Sequence, residues 1–343
     1  MDIGKRMDDE IGCWIKRTPF SEFYKAISKR IIGQSALKEV CTCVYGYLMN
    51  RAEGRTSNFS FILTAPSGCG KTETYRALRD YFQKEIPWFP ILFIDTTEYT
   101  TCGFKGKDPW EMLSGLFEAN TNGRGILWMD EFDKKVTPSR ASDGSDANRE
   151  VQTQILTMLE GRTVEDQRKG HSGSIDTSNT LIVASGSFDA CRTEESEVHK
   201  HIGFDAKEER ARSHYDEITR EDIIRLGGCN EIVGRFTTVF NYQALSNDAV
   251  KRVIDVTVKT LSESYGVPIR LSKNARNELH EIANGPLGCR AIRNYIQETA
   301  LKAYGDILES GSLKKEIIIK SLSEAVVREP RKKIVIHIPE QDM

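Results

Sequence analysis

Two clusters of residues in this chain combine types that handle phosphate. The first is Ala65, Pro66, Ser67, Gly68, Cys69, Gly70, Lys71 and Thr72, set between an apolar run at 59–64 and a helix-forming stretch at 71–84. Gly68 and Gly70 let the backbone bend closely around an anion, so that amide N–H groups and the start of the helix face it. Lys71 can reach the β- and γ-phosphates of a nucleotide, and Thr72 can ligate Mg²⁺. Ala65 stands where the usual pattern has its first glycine. A glycine-rich turn that merely caps a helix shares some of these features, but here strand, loop, Lys-Thr and helix follow in the order the chemistry needs. The second cluster, Asp130 and Glu131, ends the apolar run 125–130. Asp130 can hold Mg²⁺, and Glu131 can polarise the water that attacks a γ-phosphate. Alone, an Asp-Glu pair after a strand is usually a solvated strand end. Together the two clusters predict an ATPase that uses ATP and Mg²⁺.

These residues need a scaffold. Short apolar runs at 59–64, 91–95, 125–130, 180–185 and 236–242 read as buried strands, and helical stretches at 71–84, 110–119 and 150–160 lie between them. Continuous apolar strands interleaved with helices predict an α/β domain around a parallel sheet covered on both faces. Beyond about residue 246 the pattern changes to amphipathic helices at 248–264, 273–284 and 288–308, with β-like pieces at 267–271 and 316–320. The expected division is a lead segment over 1–28, a large α/β domain over 29–242, a small, mostly helical domain over 243–326 and a tail over 327–343. The segment 138–148 is polar and turn-rich and reads as a mobile loop, while 161–178 and 194–216 read as charged insertions.

Composition narrows the class further. A chain of 343 residues is long enough for two domains at roughly 100–200 residues each. Lys and Arg number 48 against 50 Asp and Glu, so a net charge of −2 gives no global reason to expect a polyanion or an acidic membrane as partner. No apolar run approaches the roughly 18–20 residues needed to cross a bilayer, and the acidic N-terminus lacks a signal-peptide pattern. A cytoplasmic protein is expected. Cys13, Cys41, Cys43, Cys69, Cys102, Cys191, Cys229 and Cys289 form no C-x-x-C pair, and His280-Glu281 has no second histidine three residues on. Neither pattern predicts a protein-held zinc site.

With both motifs placed, the chain resembles the AAA+ ATPases, and more narrowly the ATPase core of the ClpX-type unfoldases, over about residues 31–308. Ile31, Ile32, Gly33 and Gln34 look like the family's N-terminal box, whose apolar residues touch the adenine. Asp130, Glu131, Phe132, Asp133 and Lys134 match its extended acidic motif. Residues 179–188 resemble the fourth strand and sensor-1 region, which places the γ-phosphate-reading role on Ser185. Residues 230–236 resemble the segment that carries an arginine finger. Arg235 would then act on the γ-phosphate of a neighbouring subunit, which implies a homo-oligomeric ring, a hexamer in the family.

Gly103, Phe104, Lys105 and Gly106 stand where the family has its substrate pore loop, with the aromatic gripping extended polypeptide. Residues 139–149 correspond to a second pore loop, and Arg168, Lys169, Gly170 and His171 resemble a basic loop at the ring mouth. Ile202, Gly203 and Phe204 match the tripeptide by which ClpX-type rings dock on a ClpP-type peptidase. Two departures stand out. At sensor 2 the family's Gly-Ala-Arg is Gly285, Pro286 and Leu287, leaving Arg290, one helical turn on, as the substitute phosphate contact. The family's N-terminal zinc module is not found before Ile31. The resemblance implies an ATP-dependent unfoldase that threads polypeptide through a ring pore and delivers it to a ClpP-type peptidase. An AAA+ ATPase acting on nucleic acid is the alternative that balanced charge and the aromatic loop disfavour. A nucleotide-regulated scaffold with little turnover is the alternative that Leu287 keeps open.

Overall fold

The first unit builds its strands from β-branched, aromatic and leucine-rich runs. They are β1 (Phe61–Thr64), β2 (Ile91–Asp95), β3 (Gly125–Asp130), β4 (Thr163–Glu165), β5 (Ser174–Asp176), β6 (Thr180–Gly186) and β7 (Thr238–Asn241). Five of them pair in parallel in the order β2-β3-β6-β1-β7, while β4 and β5 form a separate antiparallel hairpin. The structure is a computed structural model that describes residues 3–56, 58–100, 106–139, 144, 146–168, 170–193, 216–283, 288–311 and 315–329. It falls into two compact units, which meet in sequence at Ala244 and Leu245.

Alternation along the strands explains the continuous apolar runs. Phe61, Leu63, Ile126, Trp128, Leu181 and Val183 enter one buried cluster, and Ile62, Leu127, Met129, Ile182 and Ala184 enter another. A sheet covered on both faces has no polar side, so successive side chains are all apolar. The first cluster is closed by α1 (Ile3–Arg17), α2 (Phe20–Ser28), α3 (Leu37–Ala52) and α4 (Lys71–Glu85). The second takes side chains from α5 (Ser114–Ala119), α6 (Asp133–Val136), α7 (Ala147–Leu159), α8 (Ala190–Thr193), α9 (Arg220–Leu226) and α10 (Asn230–Arg235). Residues 161–178, read from sequence as a charged insertion, contain the β4–β5 hairpin.

The stretch read as a lead segment contributes two helices to the first cluster. Ile11 and Trp14, three residues apart and therefore on one helix face, are both buried. The Trp14 ring meets Phe23, Tyr45, Tyr81 and Phe82 at centroid separations of 5.6–6.3 Å. Asp8 accepts two hydrogen bonds of 2.7 Å from the nearly buried guanidinium of Arg124, just before β3. Met7, Ile11, Trp14 and Ile15 recur at helical spacing, an apolar stripe that a reading of 1–28 as a mere lead segment leaves unused.

The second unit consists of α11 (Asn247–Tyr265), α12 (Lys273–Ala283) and α13 (Cys289–Glu309) with β8 (Ile269–Leu271), β9 (Glu316–Ser321) and β10 (Glu324–Arg328). Its sheet order is β10-β9-β8, with β9 antiparallel to β10 and parallel to β8. Ile254, Leu261, Leu279, Ile292, Ile296, Ile317 and Ile319 form its core. Ser246 caps α11 through its hydroxyl, and Gly266, at φ +64°, ends it. Among the described residues, no helix is long and apolar enough to cross a membrane.

Removing the indole at the centre of the aromatic cluster tests whether α1 belongs to this core. Trp14→Ala is expected to lower unfolding free energy by about 3–5 kcal/mol, measured by urea denaturation. Trp14→Phe should retain most of it. A loss under about 1 kcal/mol for the alanine variant would mean that α1 is only loosely attached.

Candidate nucleotide site

The parallel strands bring their C-terminal ends to one edge of the sheet, where α/β proteins of this layout bind ligands. At that edge β1 runs out at Thr64 and the loop 65–70 turns into α4. Gly68 and Gly70 have φ of +77° and +101°, in the left-handed region that side chains resist. A Cβ on Gly70 would meet nothing within 4 Å, so conformation rather than space requires glycine there. Ala65 is fully buried, and its N–H donates to the Gly186 carbonyl of β6 at 3.3 Å. A methyl group is therefore accommodated where the usual pattern has glycine. Pro66 and Ser67 complete the turn, and Cys69 is buried within it.

Lys71, the first residue of α4, folds its ammonium back on the loop and donates to the Ala65 carbonyl at 2.6 Å. Burial lowers its pKa, opposed by the nearby carboxylates, with Asp130 foremost. Thr72 follows in the first turn of α4. First-turn amides have no acceptor inside their own helix and face outward toward an anion.

Asp130 closes β3 beside Asp95 of β2 in the strand register. Its Oδ1 accepts 2.7 Å from the Ser185 hydroxyl, and that hydroxyl accepts 2.9 Å from the Trp128 indole N–H. Ser185, assigned from sequence to γ-phosphate reading, is fully buried and engaged with Asp130. Thr96 donates to the Asp130 carbonyl at 2.9 Å. The next residue, Glu131, takes φ +56°, a conformation that costs a non-glycine residue of order 1–3 kcal/mol. Three hydrogen bonds hold the turn. The Phe132 N–H donates to the Ser185 carbonyl, and buried Asp133 accepts from the Ser187 hydroxyl and the Phe188 N–H at 3.3 Å each. Glu131 as a whole residue is exposed, but protein atoms crowd its carboxyl. That partial desolvation, with Asp133 and Asp130 beside it, raises its pKa.

The residue types present suit the ligands expected from sequence. A positive-φ glycine turn at a helix start, with a lysine beside it, fits a polyphosphate. A hydroxyl at Thr72 and a carboxylate at Asp130 are hard oxygen donors, of which Mg²⁺ takes one or two alongside phosphates and water. Among the described residues, no group of three or more His, Cys, Asp or Glu could hold a metal unaided.

Other residues named from sequence are placed as follows. Ile31 and Ile32 are both buried, Ile31 within the first core cluster. Gln34 is also buried and spans from the loop to Gln243. Sequence reasoning had no role for this amide, because its partners lie 35 and 209 positions away. Arg235 ends α10, half exposed, with Nη2 3.1 Å from Glu160 Oε1. It precedes β7, at the strand-start edge of the sheet, so roughly 13 Å of strand separates it from the edge bearing its own phosphate loop. Arg168, in the stretch that resembles a basic loop at the ring mouth, pairs with Asp166 and Glu118 at 2.7 Å each, and the guanidinium holds the Asp166 pKa down to about 2.

Gly106 lies at the neck of a loop that Thr100 and Lys107 close with a 3.0 Å backbone bond. Its Cα packs so tightly that a Cβ would meet Thr100 Cγ2 at 2.4 Å. Gly103, Phe104 and Lys105 lie outside the described residues, as do Lys169, Ile202, Gly203, Phe204, Gly285, Pro286 and Leu287. Ser139 and Asp146 close the neck of the other proposed pore loop, where the Ser139 N–H donates 2.9 Å to the Asp146 carboxylate. Arg290 lies in α13 of the second unit.

Residues 56–239, more than half the chain, match the family model described as AAA domain (Cdc48 subfamily). The chain belongs to this family and is an ATPase. Two relatives are named ATP-dependent Clp protease ATP-binding subunit ClpX. That of Treponema denticola is 26% identical over 342 residues, covering 87% of this chain and 79% of the relative. That of Azotobacter vinelandii is 28% identical over 326 residues, covering 80% and 72%. These alignments bear out the resemblance to ClpX drawn from the motifs.

The electrostatics of the acidic pair predict a pH profile. A base with a raised pKa loses activity as pH falls through that raised value, so the acid limb of kcat/KM, which reports the free enzyme, lies above the ordinary glutamate value of about 4.3. Asp133→Asn removes one of the two charges that raise Glu131, and the limb should move to lower pH. Steady-state ATP hydrolysis across pH checks this; an unmoved or upward-shifted limb contradicts the assignment.

Proposed function

We propose that this AAA ATPase is a protein unfoldase of the ClpX type, working as a homohexameric ring in the cytoplasm. The observation that carries the proposal is the convergence, on one edge of the parallel sheet, of the glycine loop with Lys71 and the Asp130–Glu131 pair. In that arrangement Lys71 draws the β- and γ-phosphates toward the loop amides, leaving the Ala65 carbonyl to do so. Thr72 and Asp130 would hold Mg²⁺, which would neutralise phosphate charge. Glu131 orients the attacking water and accepts its proton, its carboxylate aimed by the turn that Asp133 holds. Ser185 acts through Asp130, fixing that carboxylate by the bond it donates. Ile31 and Ile32 form the apolar wall toward the base.

Arg235 belongs to a neighbour's site in this reading. Its position at the strand-start edge keeps it from its own loop, which supports action across a subunit boundary. Its pair with Glu160 is exposed, and such pairs contribute under about 1 kcal/mol, so little holds it from another partner. Phe104, between Gly103 and Lys105-Gly106, grips the threaded polypeptide by apolar packing, and the tight neck at Gly106 anchors the loop. Ile202, Gly203 and Phe204 would present an apolar anchor to a ClpP-type peptidase. Near-neutral charge leaves nucleic acid without an evident electrostatic footprint.

Three expected outcomes test this. Glu131→Gln should reduce ATP hydrolysis by at least about 100-fold while nucleotide still binds; hydrolysis equal to the parent's would remove Glu131 from the mechanism. Rings mixed from Arg235→Ala and Glu131→Gln subunits should hydrolyse ATP faster than either variant alone, because some boundaries then pair an intact arginine with an intact base. No gain on mixing would place Arg235 outside the neighbouring site. Finally, a tagged fluorescent protein should lose its fluorescence with ATP and the parent chain, but not with Phe104→Ala. Equal rates for the two would sink threading by Phe104, and no unfolding by either would favour a scaffold.

A further inference from the structure

We infer that Gln34 is a positioning residue that ties the phosphate loop to the segment leading into the second unit, so that nucleotide at the loop alters that segment through one side-chain amide. The inference rests on reading 65–72 as the nucleotide loop and adds to it a route by which the loop's state leaves the site. Gln34 is 7% exposed and uses its amide almost completely. Nε2 donates to the Cys69 carbonyl at 2.9 Å and to the Gln243 carbonyl at 3.0 Å, while Oε1 accepts from the Gln243 N–H at 2.9 Å. Both N–H donors of the amide are thereby engaged. At Gln243 the side chain takes both backbone polar groups, as a neighbouring strand would.

The two ends of this link are unequal in freedom. The Cys69 carbonyl sits between Gly68 and Gly70, the two left-handed glycines, where the peptide can rotate with little steric resistance. Lys71, two residues on, is bonded to the Ala65 carbonyl and must leave it to reach a phosphate. Closure of the loop on an anion therefore reorients the peptide that Gln34 grips. Gln243 follows Tyr242, whose N–H donates to the Thr64 carbonyl at 2.8 Å and whose hydroxyl lies 3.0 Å from Thr74 Oγ1. The chain is fastened to β1 and α4 up to that point. One residue after Gln243 comes Ala244, the last of the first unit, and then Leu245, the first of the second. Gln243 thus lies one residue before the last of the first unit, and Gln34 holds both its N–H and its carbonyl. A leucine at position 34 would fill similar volume and leave the Cys69 carbonyl and the Gln243 carbonyl and N–H without this partner.

The test uses the full chain and ATP as the probe, with Glu131→Gln present in every hydrogen-exchange sample so that ATP persists. In this parent, ATP should change exchange in the peptide containing Gln243. Adding Gln34→Leu should abolish that response while ATP affinity changes by less than about threefold, and in an otherwise native chain kcat should fall about tenfold with KM little altered. Gln34→Glu keeps an acceptor for the Gln243 N–H and loses both donors. It should retain protection of the Gln243 amide without ATP, yet lose the response to ATP. Thermal melting identifies a variant that fails to fold, in which case the other carries the test. An ATP response that survives in either folded variant, or that is missing from a parent able to bind ATP, overturns the inference. If the native chain neither binds nor hydrolyses ATP, the nucleotide reading itself falls, and the inference falls with it.

Discussion

Asp130 is held by hydrogen bonds that only the parallel pairing of β3 with β6 makes available, and the rest of the site depends on that pairing. Trp128 and Asp130 are two apart on β3, so they share one side of the strand. Ser185 of β6 reaches both, accepting from the indole and donating to the carboxylate. The same pairing lets the Ser185 carbonyl take the Phe132 N–H, which steadies the left-handed turn at Glu131. A register slip by one residue would turn Ser185 to the opposite face and leave the carboxylate unsupported. The apolar clusters on both faces make such a slip costly, because every strand residue would exchange one core for the other.

The sheet's polarity does further work. Parallel strands gather all their C-terminal ends on one edge, and the phosphate loop, the acidic pair and the exit of β7 meet there. The same polarity consigns Arg235, which precedes β7, to the opposite edge. Glu160 pairs with both Arg162 and Arg235, so the guanidinium has a resting partner without being buried by it.

Much of this was legible from the residues themselves. The strand–loop–helix around Gly68, Gly70 and Lys71 was readable because the left-handed turns demand glycine locally. The five strands of the sheet were readable because two-sided burial leaves an unbroken apolar run. The β4–β5 hairpin was hidden by its three-residue strands, of which only Val164 and Ile175 face inward. β10 was missed because its alternation is shallow and none of its residues is fully buried. The N-terminal helices carry a legible apolar stripe, Met7, Ile11, Trp14 and Ile15, but what that stripe covers is decided only when α3 and α4 supply the surface. The partners of Arg168 were only half legible: Asp166 is near in sequence, but Glu118 is fifty residues away and reaches it only through the fold.

The sequence alone determined the chemistry this chain carries. Phosphate binding by a glycine turn and a lysine, and carboxylates at a strand end, are properties of short segments whose backbone conformation follows from their own residues. What only the tertiary structure decided is which groups support those segments. Ser185 turned out to serve Asp130, Asp133 to brace the turn after Glu131, and Gln34 to join the Cys69 carbonyl to Gln243. Each of these bonds links residues far apart along the chain, and a hydrogen bond requires its partners within about 3 Å and in line. No local pattern encodes that proximity. It arises when the two buried clusters close on the sheet and leave each polar group one place to find its partner.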